Sequence, residues 1–572
     1  MPGFGLSPTW QTSHHSFSPF IQTPTPSLNT HKTPDLISHY LFQATMDVWS
    51  WICGLPNPDE WSESHPSLVR ELATASPSPD SPAQSIQLRA ERTAGSDSDA
   101  LITFSVCVQG FHFHPSNDPK TLWVSDACPL SSEKPFLPLL LQLLQEVISR
   151  APLAPVGTCL RPQPPKLRPD PVSRIMDSHS PESFSGFFDL VLLTRLFWLC
   201  ACDAPSEVGS LYFHQVLAPK LEALSCEHAP VLRALLISVG ADAELCFTRA
   251  VSYMLAKWLI LREVGAGLLS LAPVPSHSLG LSYANESHGF WVLKGFAPVL
   301  SMRRTCSSEE KKYPTVVDAK ESVLRYALAH QQLEAVIQLE YSVGFCDRYI
   351  QVSVRVNNIR LHVAKLGFDR NGNDEEYGEE RHFPSRIHIS VGPEVGSTYV
   401  TNLSLARSTD NMEREVEIEK ILKGSFEKSK LPTRVRVKGR TTTKTRLKSW
   451  RWNQDVEGNT VKFDAILYDN TNGFEIATWK ASNEGSGKPY GIQNQYVGAS
   501  GLFTKTGGLI FAGDECGEGV VWRLGKEMEG SVLKWRLGGK IWLTYLPKNV
   551  KSSYHETRCV EWWDEVDLPL IS

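Results

Sequence analysis

Ten Lys and Arg residues and no Asp or Glu fall between Lys428 and Gln454 of the 572-residue chain. Within that stretch Arg434, Arg436, Lys438 and Arg440 alternate with Thr433, Val435, Val437 and Gly439. Alternate residues of an extended strand share a face, so these four cations would form a stripe suited to a row of phosphates or an anionic lipid surface. Glu413, Glu415, Glu417 and Glu419 repeat the rhythm upstream with the opposite sign. A turn through 421–432 would set these glutamates opposite Arg434, Arg436 and Lys438 as antiparallel neighbours. The cations left for a partner would then be Arg440, Lys444, Arg446, Lys448 and Arg451, beside Trp450 and Trp452 on one strand face. A helix over 412–422, opened by Asp410 and Glu413 as a capping box, is the competing reading.

Other groups with chemical potential fail on spacing. Asp369 to Glu380 carries oxygens at the first, third, fifth and twelfth positions of an EF-hand loop, but Asp374 stands where the sharp turn requires glycine, and strand-like runs flank it. His362, His382 and His388 could approach one another across a hairpin, yet no cysteine accompanies them at zinc-ligand spacing. His112 and His114 would share a strand face and read as packing or surface. Gly485-Ser486-Gly487-Lys488 lacks the earlier glycine of a phosphate loop, and Pro489 occupies the place of the magnesium-binding hydroxyl. No GxSxG elbow is present. The chain therefore presents no catalytic set, no metal site and no cofactor motif.

Composition bounds the class. With 41% hydrophobic and 21% charged residues the chain reads as a globular protein. Its formal net charge of −5 means that attraction to an anion must come from a local patch. Twelve scattered cysteines without a CxxC pair read as reduced thiols of an intracellular compartment. Residues 1–45 are rich in Ser, Thr, Pro and His with Asp35 as the single acid. They fit a disordered extension, or a transit-like segment for organellar import short of arginine; cytoplasmic residence is preferred. The most apolar windows, 187–202 and 247–261, contain Asp189 and Arg195, and Arg249 and Lys257; they read as buried helices, with no transmembrane segment.

Composition shifts and periodicity divide the chain into an α+β multidomain protein. A small α/β segment at 46–151 would contain a disordered Ser/Pro loop at 74–99 and a leucine-dense helix at 136–148. A Pro-rich linker at 152–182 precedes a helical domain at 183–272, where Phe247, Ala250, Val251, Met254, Trp258 and Leu261 trace one helical face. A linker loop at 273–312 and a helix at 318–330 lead into an antiparallel β-rich domain within 313–572, a large sandwich or open barrel. Strict alternation at 349–356, 386–391 and 461–467 defines its strands, and Asn472-Gly473 is a hairpin turn.

The preferred function is that of a non-enzymatic binding protein whose β-rich domain engages an anionic or protein partner through the basic and tryptophan patch. The alternative is an enzyme, acting for instance on carbohydrate, with its site under the loops at 367–382 or 482–519.

Overall fold

A computed structural model describes residues 47–56, 67–76, 82–94, 100–111, 119–152, 165–223, 229–265, 280–299, 331–366, 382–406, 414–426, 435–447, 450–468, 475–478, 508–512, 516–545 and 556–571. The N-terminal extension, the helix expected at 318–330, the acidic loop at 369–380, His112 and His114 and Asn472-Gly473 lie outside these residues. So do the loops proposed to cover an active site, except for His382, 508–512 and 516–519; within the second loop Leu509–Ala512 is a strand. The chain forms two compact units, Met1–Gly54 and Leu55–Ser572. In the first, helix α1 (Val48–Cys53) is opened by Asp47, whose carboxylate accepts from the Ser50 N–H at 2.7 Å.

The second unit is α+β, and it opens with a sheet rather than with helices. Strands β1 (Ser67–Ala75), β2 (Gln84–Ala94), β3 (Ala100–Gln109) and β4 (Lys120–Val124) are ordered β1-β2-β3-β4, with β5 (Cys128–Pro129) also on β3. The expectation of a disordered loop over 74–99 is corrected here. Ser and Pro dominate the composition of that window, but Ile86, Leu88 and Ala90 alternate within it and are buried.

Helices follow: α2 (Leu137–Ser149), α3 (Pro169–Ser178), α4 (Pro181–Leu196), α5 (Ser206–Leu211), α6 (Ala218–Ala223), α7 (Ala229–Ser238) and α8 (Ala241–Gly265). The Pro-rich linker expected at 152–182 instead contains all of α3 and the start of α4, because Pro169 and Pro171 occupy the first turn of α3, where a missing N–H costs no intrahelical bond. Helix α4 continues as a wider π-wound segment through Phe197–Asp203, and another spans Tyr212–Leu217. The segment Pro181–Asp203 is long and apolar enough to cross a membrane, but 89% of its most apolar 18-residue window is buried inside the protein, and Arg195 within the segment pairs with Glu146 of α2.

Two antiparallel sheets make up the rest. One is ordered β11-β17-β9-β8-β7-β6, with β16 also on β9; the other is ordered β14-β15-β10-β18-β19. The larger comprises β6 (Leu281–Ser287), β7 (Phe290–Val299), β8 (Gln331–Phe345), β9 (Tyr349–Lys365), β11 (Val400–Leu405), β16 (Leu509–Ala512) and β17 (Gly519–Gly525). The smaller comprises β10 (His382–Pro393), β14 (Trp450–Glu457), β15 (Thr460–Leu467), β18 (Val532–Tyr545) and β19 (Glu556–Pro569). Their inward residues form one core, so the pair is a sandwich, and neither sheet closes into a barrel among the described residues. Strands β6 and β7 replace the loop expected at 273–312. His288 and Gly289 (φ 52° and 83°) link Ser287 to Phe290 as a two-residue turn, a chemistry less conspicuous than Asn-Gly.

Local irregularities adapt the strands to this core. A bulge opposite Gln338 and Leu339 switches the buried set of β9 from Ile350, Val352, Val354 and Val356 to Ile359, Leu361 and Val363. Trp562 lies in a slot between glycines: a Cβ on Gly295 would sit 2.2 Å from its ring, and one on Gly539 would sit 3.0 Å from it. Trp522 meets Trp535 edge-on at 4.6 Å in the same core.

The helical layer touches both β systems. On the N-terminal sheet, the Trp123 indole N–H donates to Glu146 at 3.0 Å while the Arg195 guanidinium lies over the Trp123 ring. On the sandwich, Arg249 of α8 donates to Glu334 of β8 at 2.7 Å. Lys294 of β7 donates to Glu244 of α8 at 2.8 Å, and the Tyr283 hydroxyl donates to the same carboxylate. For buried pairs of this kind the cost of desolvation offsets much of the mutual attraction.

Candidate functional site

The expected patch separates into two places. Trp450 and Trp452 are core residues, 3% and 5% exposed, each packed edge-on against Phe511. Their strand alternates, so the face that holds both rings is the inward one, and neither is a surface platform. Arg451, between them, is exposed, with its guanidinium 4.9 Å over the Tyr468 ring. Lys448 lies outside the described residues. Arg440, Lys444 and Arg446 belong to a separate two-stranded ribbon, β12 (Arg414–Phe426) and β13 (Val435–Leu447).

The two oppositely charged runs pair as antiparallel strands, and the helix over 412–422 is not formed. The register, however, inverts the expected partition. Strand β12 runs on to Phe426 instead of turning at Ile421, so Glu415 stands opposite Arg446 and Glu417 opposite Lys444. These two cations were among the five expected to be left over. Arg436, Lys438 and Arg440 instead stand opposite Ser425, Lys423 and Ile421.

Arg451 sits at one margin of a polar grid on the outer face of the smaller sheet. The registers align residues across all five strands. One row reads Arg451, Ile466, Arg386, Trp542, Cys559; the next reads Asn453, Asp464, His388, Lys540, Glu561; a third reads Asp455, Lys462, Ser390, Gly538, Trp563. These positions face outward because their neighbours Ile387, Ile389, Phe463, Ala465, Leu537 and Ile541 fill the core.

Three arginines on this sheet lie over aromatic rings: Arg451 as above, Arg386 over Trp542 at 4.8 Å, and Arg536 over Trp563 at 4.7 Å. Trp563 is half exposed, at 50%. Ion pairs cross the strands: Arg386 to Asp464 at 3.3 Å and to Glu475 at 3.6 Å, Lys540 to Glu561 at 2.8 Å, and Arg536 to Glu565 at 3.9 Å. A Cβ on Gly538 would lie 2.3 Å from the Ser390 hydroxyl, so the Ser390 side chain occupies the space over Gly538, the cross-strand partner of Trp563.

His388 Nδ1 lies 3.0 Å from Asp464. Burial pushes the Asp464 carboxyl up, but His388 and Arg386 outweigh it and hold the group below the ordinary carboxylate range. The pair can orient an imidazole, as the outer half of a proton-transfer relay would. The three histidines do not converge: His362 lies 3.6 Å from Glu334, and His382 Nδ1 lies 3.3 Å from the Gln331 side-chain Oε1. Among the described residues no three His, Cys, Asp or Glu side chains could share a metal ion. A cleft of about 250 Å³ opens in the N-terminal sheet instead, lined by Glu71, Thr74, Ser85, Gln87 and Gln109.

Sequence reasoning passed over Arg386, Arg536, Lys540, Trp542 and Trp563, because they lie on three strands far apart in the chain. The alternation of each strand marked its outer residues, and only the strand order makes them neighbours. Lys257 was also passed over. It is 1% exposed, with its amine 5.5 Å over the Tyr253 ring, and burial pushes that amine down to about 8. Tyr253 in turn stacks on Trp198 of the first π-wound segment at 5.4 Å.

No family model and no curated protein matches the chain. Among solved structures, the chain is similar to the Clostridium perfringens NetB toxin in its membrane-inserted form, at 9% identity and a TM-score of 0.17 over 50% of this chain and 94% of that one. It is also similar to Clostridium perfringens delta-toxin, at 9% identity and 0.18 over 50% and 95%. A pore-forming protein gives 10% identity and 0.17 over 50% and 94%. At these scores the likeness carries no argument.

Proposed function

We propose that this chain is a binding protein that engages a protein partner through the outer face of the smaller sandwich sheet. Trp563 and Arg536 form the anchor, with Arg386–Trp542 and Arg451–Tyr468 extending the contact across the sheet. The observation that carries the reading is a half-exposed tryptophan stacked under an arginine. Tryptophan and arginine are the residue types that dominate interface energetics, since each combines a large rigid contact area with fixed donors. The ion pairs that cross the face balance its charge locally, which suits a partner of mixed polarity better than a polyanion.

The test is affinity capture from source cells with cross-linking, comparing the wild-type chain with Trp563→Ala and Arg536→Ala. A partner recovered in stoichiometric amount should fall at least tenfold with either variant, in line with a loss of about 2 kcal/mol for an anchor residue. Thermal unfolding should be unchanged, because surface truncations of this kind cost within about 0.5 kcal/mol. Equal recovery with all three proteins would remove this face from the function.

A further inference from the structure

We infer that the β12–β13 ribbon is a membrane-docking element that lies in the interface of an anionic lipid bilayer. The reasoning is independent of the sandwich face and rests on the ribbon's register and composition. Its strands are 13 residues each and hydrogen-bond with no other strand among the described residues. The ribbon is inserted between β11 and β14, which are edge strands of the two sandwich sheets.

Alternation along both strands, combined with the observed register, sorts the residues into two faces. One face holds Val416, Ile418, Leu422 and Phe426 of β12 with Val435, Val437 and Leu447 of β13, interspersed with Gly424, Gly439, Thr441, Thr443 and Thr445 and carrying two cations, Arg414 at the base and Lys420 at the middle of β12. The other holds every acid and six of the eight cations of the ribbon. Together the strands carry eight Lys and Arg against three Glu, a formal +5 on a chain whose total is −5.

The charge is further polarised along the ribbon. All three glutamates lie in the half near the sandwich, whereas Lys423, Arg436, Lys438 and Arg440 cluster toward the tip, where Lys423 and Lys438 are direct cross-strand partners. Like charges directly opposite one another repel, and an anionic surface relieves that repulsion. A ribbon that is cationic on one side and apolar on the other suits a surface that is anionic at the headgroups and apolar beneath them. A free polyanion would use only the cations.

Length alone would also permit a spanning arrangement, since a tilted transmembrane strand needs about 9–11 residues. Lys420 decides between the two. It is the middle residue of β12 and shares the apolar face, so in a spanning ribbon its charge would lie at the bilayer centre, the costliest depth. At an interfacial depth of roughly 5–10 Å a lysine amine reaches the headgroups along its own stem.

The experiment uses the full chain with vesicles of phosphatidylcholine alone or with about one-third phosphatidylserine, and heparin as a polyanion with no apolar interior. Binding is expected on the phosphatidylserine vesicles, at least tenfold weaker on phosphatidylcholine, and without release of an entrapped dye. The double variant Ile418→Asp/Leu422→Asp should lose vesicle affinity at least tenfold and keep heparin retention, while Lys438→Glu should weaken both. A Leu422→Trp variant should shift its emission to the blue on anionic vesicles, a readout that does not depend on the double variant folding. Vesicle affinity within twofold of wild type for the double variant overturns the inference. So does heparin retention without vesicle binding, which would assign the cations to a polyanion, or dye release, which would assign the ribbon to a pore.

Discussion

Replacing Lys257 by methionine should stabilise the helical layer at neutral pH. The amine is buried within α8, and desolvation lowers its pKa from 10.5 to about 8. A tenfold change in proton affinity is worth about 1.4 kcal/mol, so keeping this group charged in the folded state at pH 7 costs about 3 kcal/mol. The sign follows from proton counts. Below pH 8 both folded and unfolded chains hold the proton, and the full cost is present. Between pH 8 and 10.5 the unfolded chain binds more protons than the folded one, so stability rises with pH. Above 10.5 both are neutral and the cost is gone. Lys257→Met, similar in length and apolar, should gain up to about 3 kcal/mol at pH 7, and the gain should fade by pH 10.5. Guanidinium unfolding followed by far-ultraviolet circular dichroism at the two pH values measures this. A variant less stable than wild type at pH 7 would refute the reasoning, as would an unchanged pH dependence, since the cation would then be stabilised by the ring of Tyr253 beyond its cost of burial.

Three further outcomes follow from the packing. Gly295→Ala should destabilise the sandwich by about 1–3 kcal/mol, because a methyl group 2.2 Å from the Trp562 ring cannot be relieved toward Gly539; a smaller residue at position 562 should restore part of the loss in a double-mutant cycle. Trp450→Ala should cost about 3–5 kcal/mol in denaturant unfolding, as a core residue does, whereas a surface platform residue would cost little. Burial raises the Glu334 carboxyl, but the His362 hydrogen bond and the Arg249 charge outweigh it and hold the group below its ordinary 4.5. Its stabilising contribution is therefore present above pH 4.5 and lost as pH falls below it, and Glu334→Gln should flatten that acid limb of the stability curve.

Where sequence reasoning succeeded, the information was local. Alternation at 349–356, 386–391 and 461–467 marks strands β9, β10 and β15, because a half-buried strand needs its apolar residues two apart. Spacing from Phe247 to Leu261 marks α8 for the corresponding helical reason. Where it failed, a bulk property masked a short periodic element. Ser and Pro concealed β2, prolines concealed the first turn of α3, and a His-Gly turn concealed the β6–β7 hairpin.

The ribbon shows the boundary most directly. Alternating charge in both segments, and hence their pairing, was legible in the chain. The partition of cations was not, since it depends on where β12 ends, and each two-residue change in register moves every cross-strand partner. The same holds for the tryptophans. Sequence placed Trp450 and Trp452 on one face of a strand, but only a second sheet packed against that face made it the inner one. The outer grid of Arg386, Arg451, Arg536, Trp542 and Trp563 was decided entirely by tertiary structure, because strand order is a property of long-range pairing that no local pattern encodes. Sequence by itself determined which residues share a face; the tertiary fold decided which faces meet solvent and which residues become neighbours there.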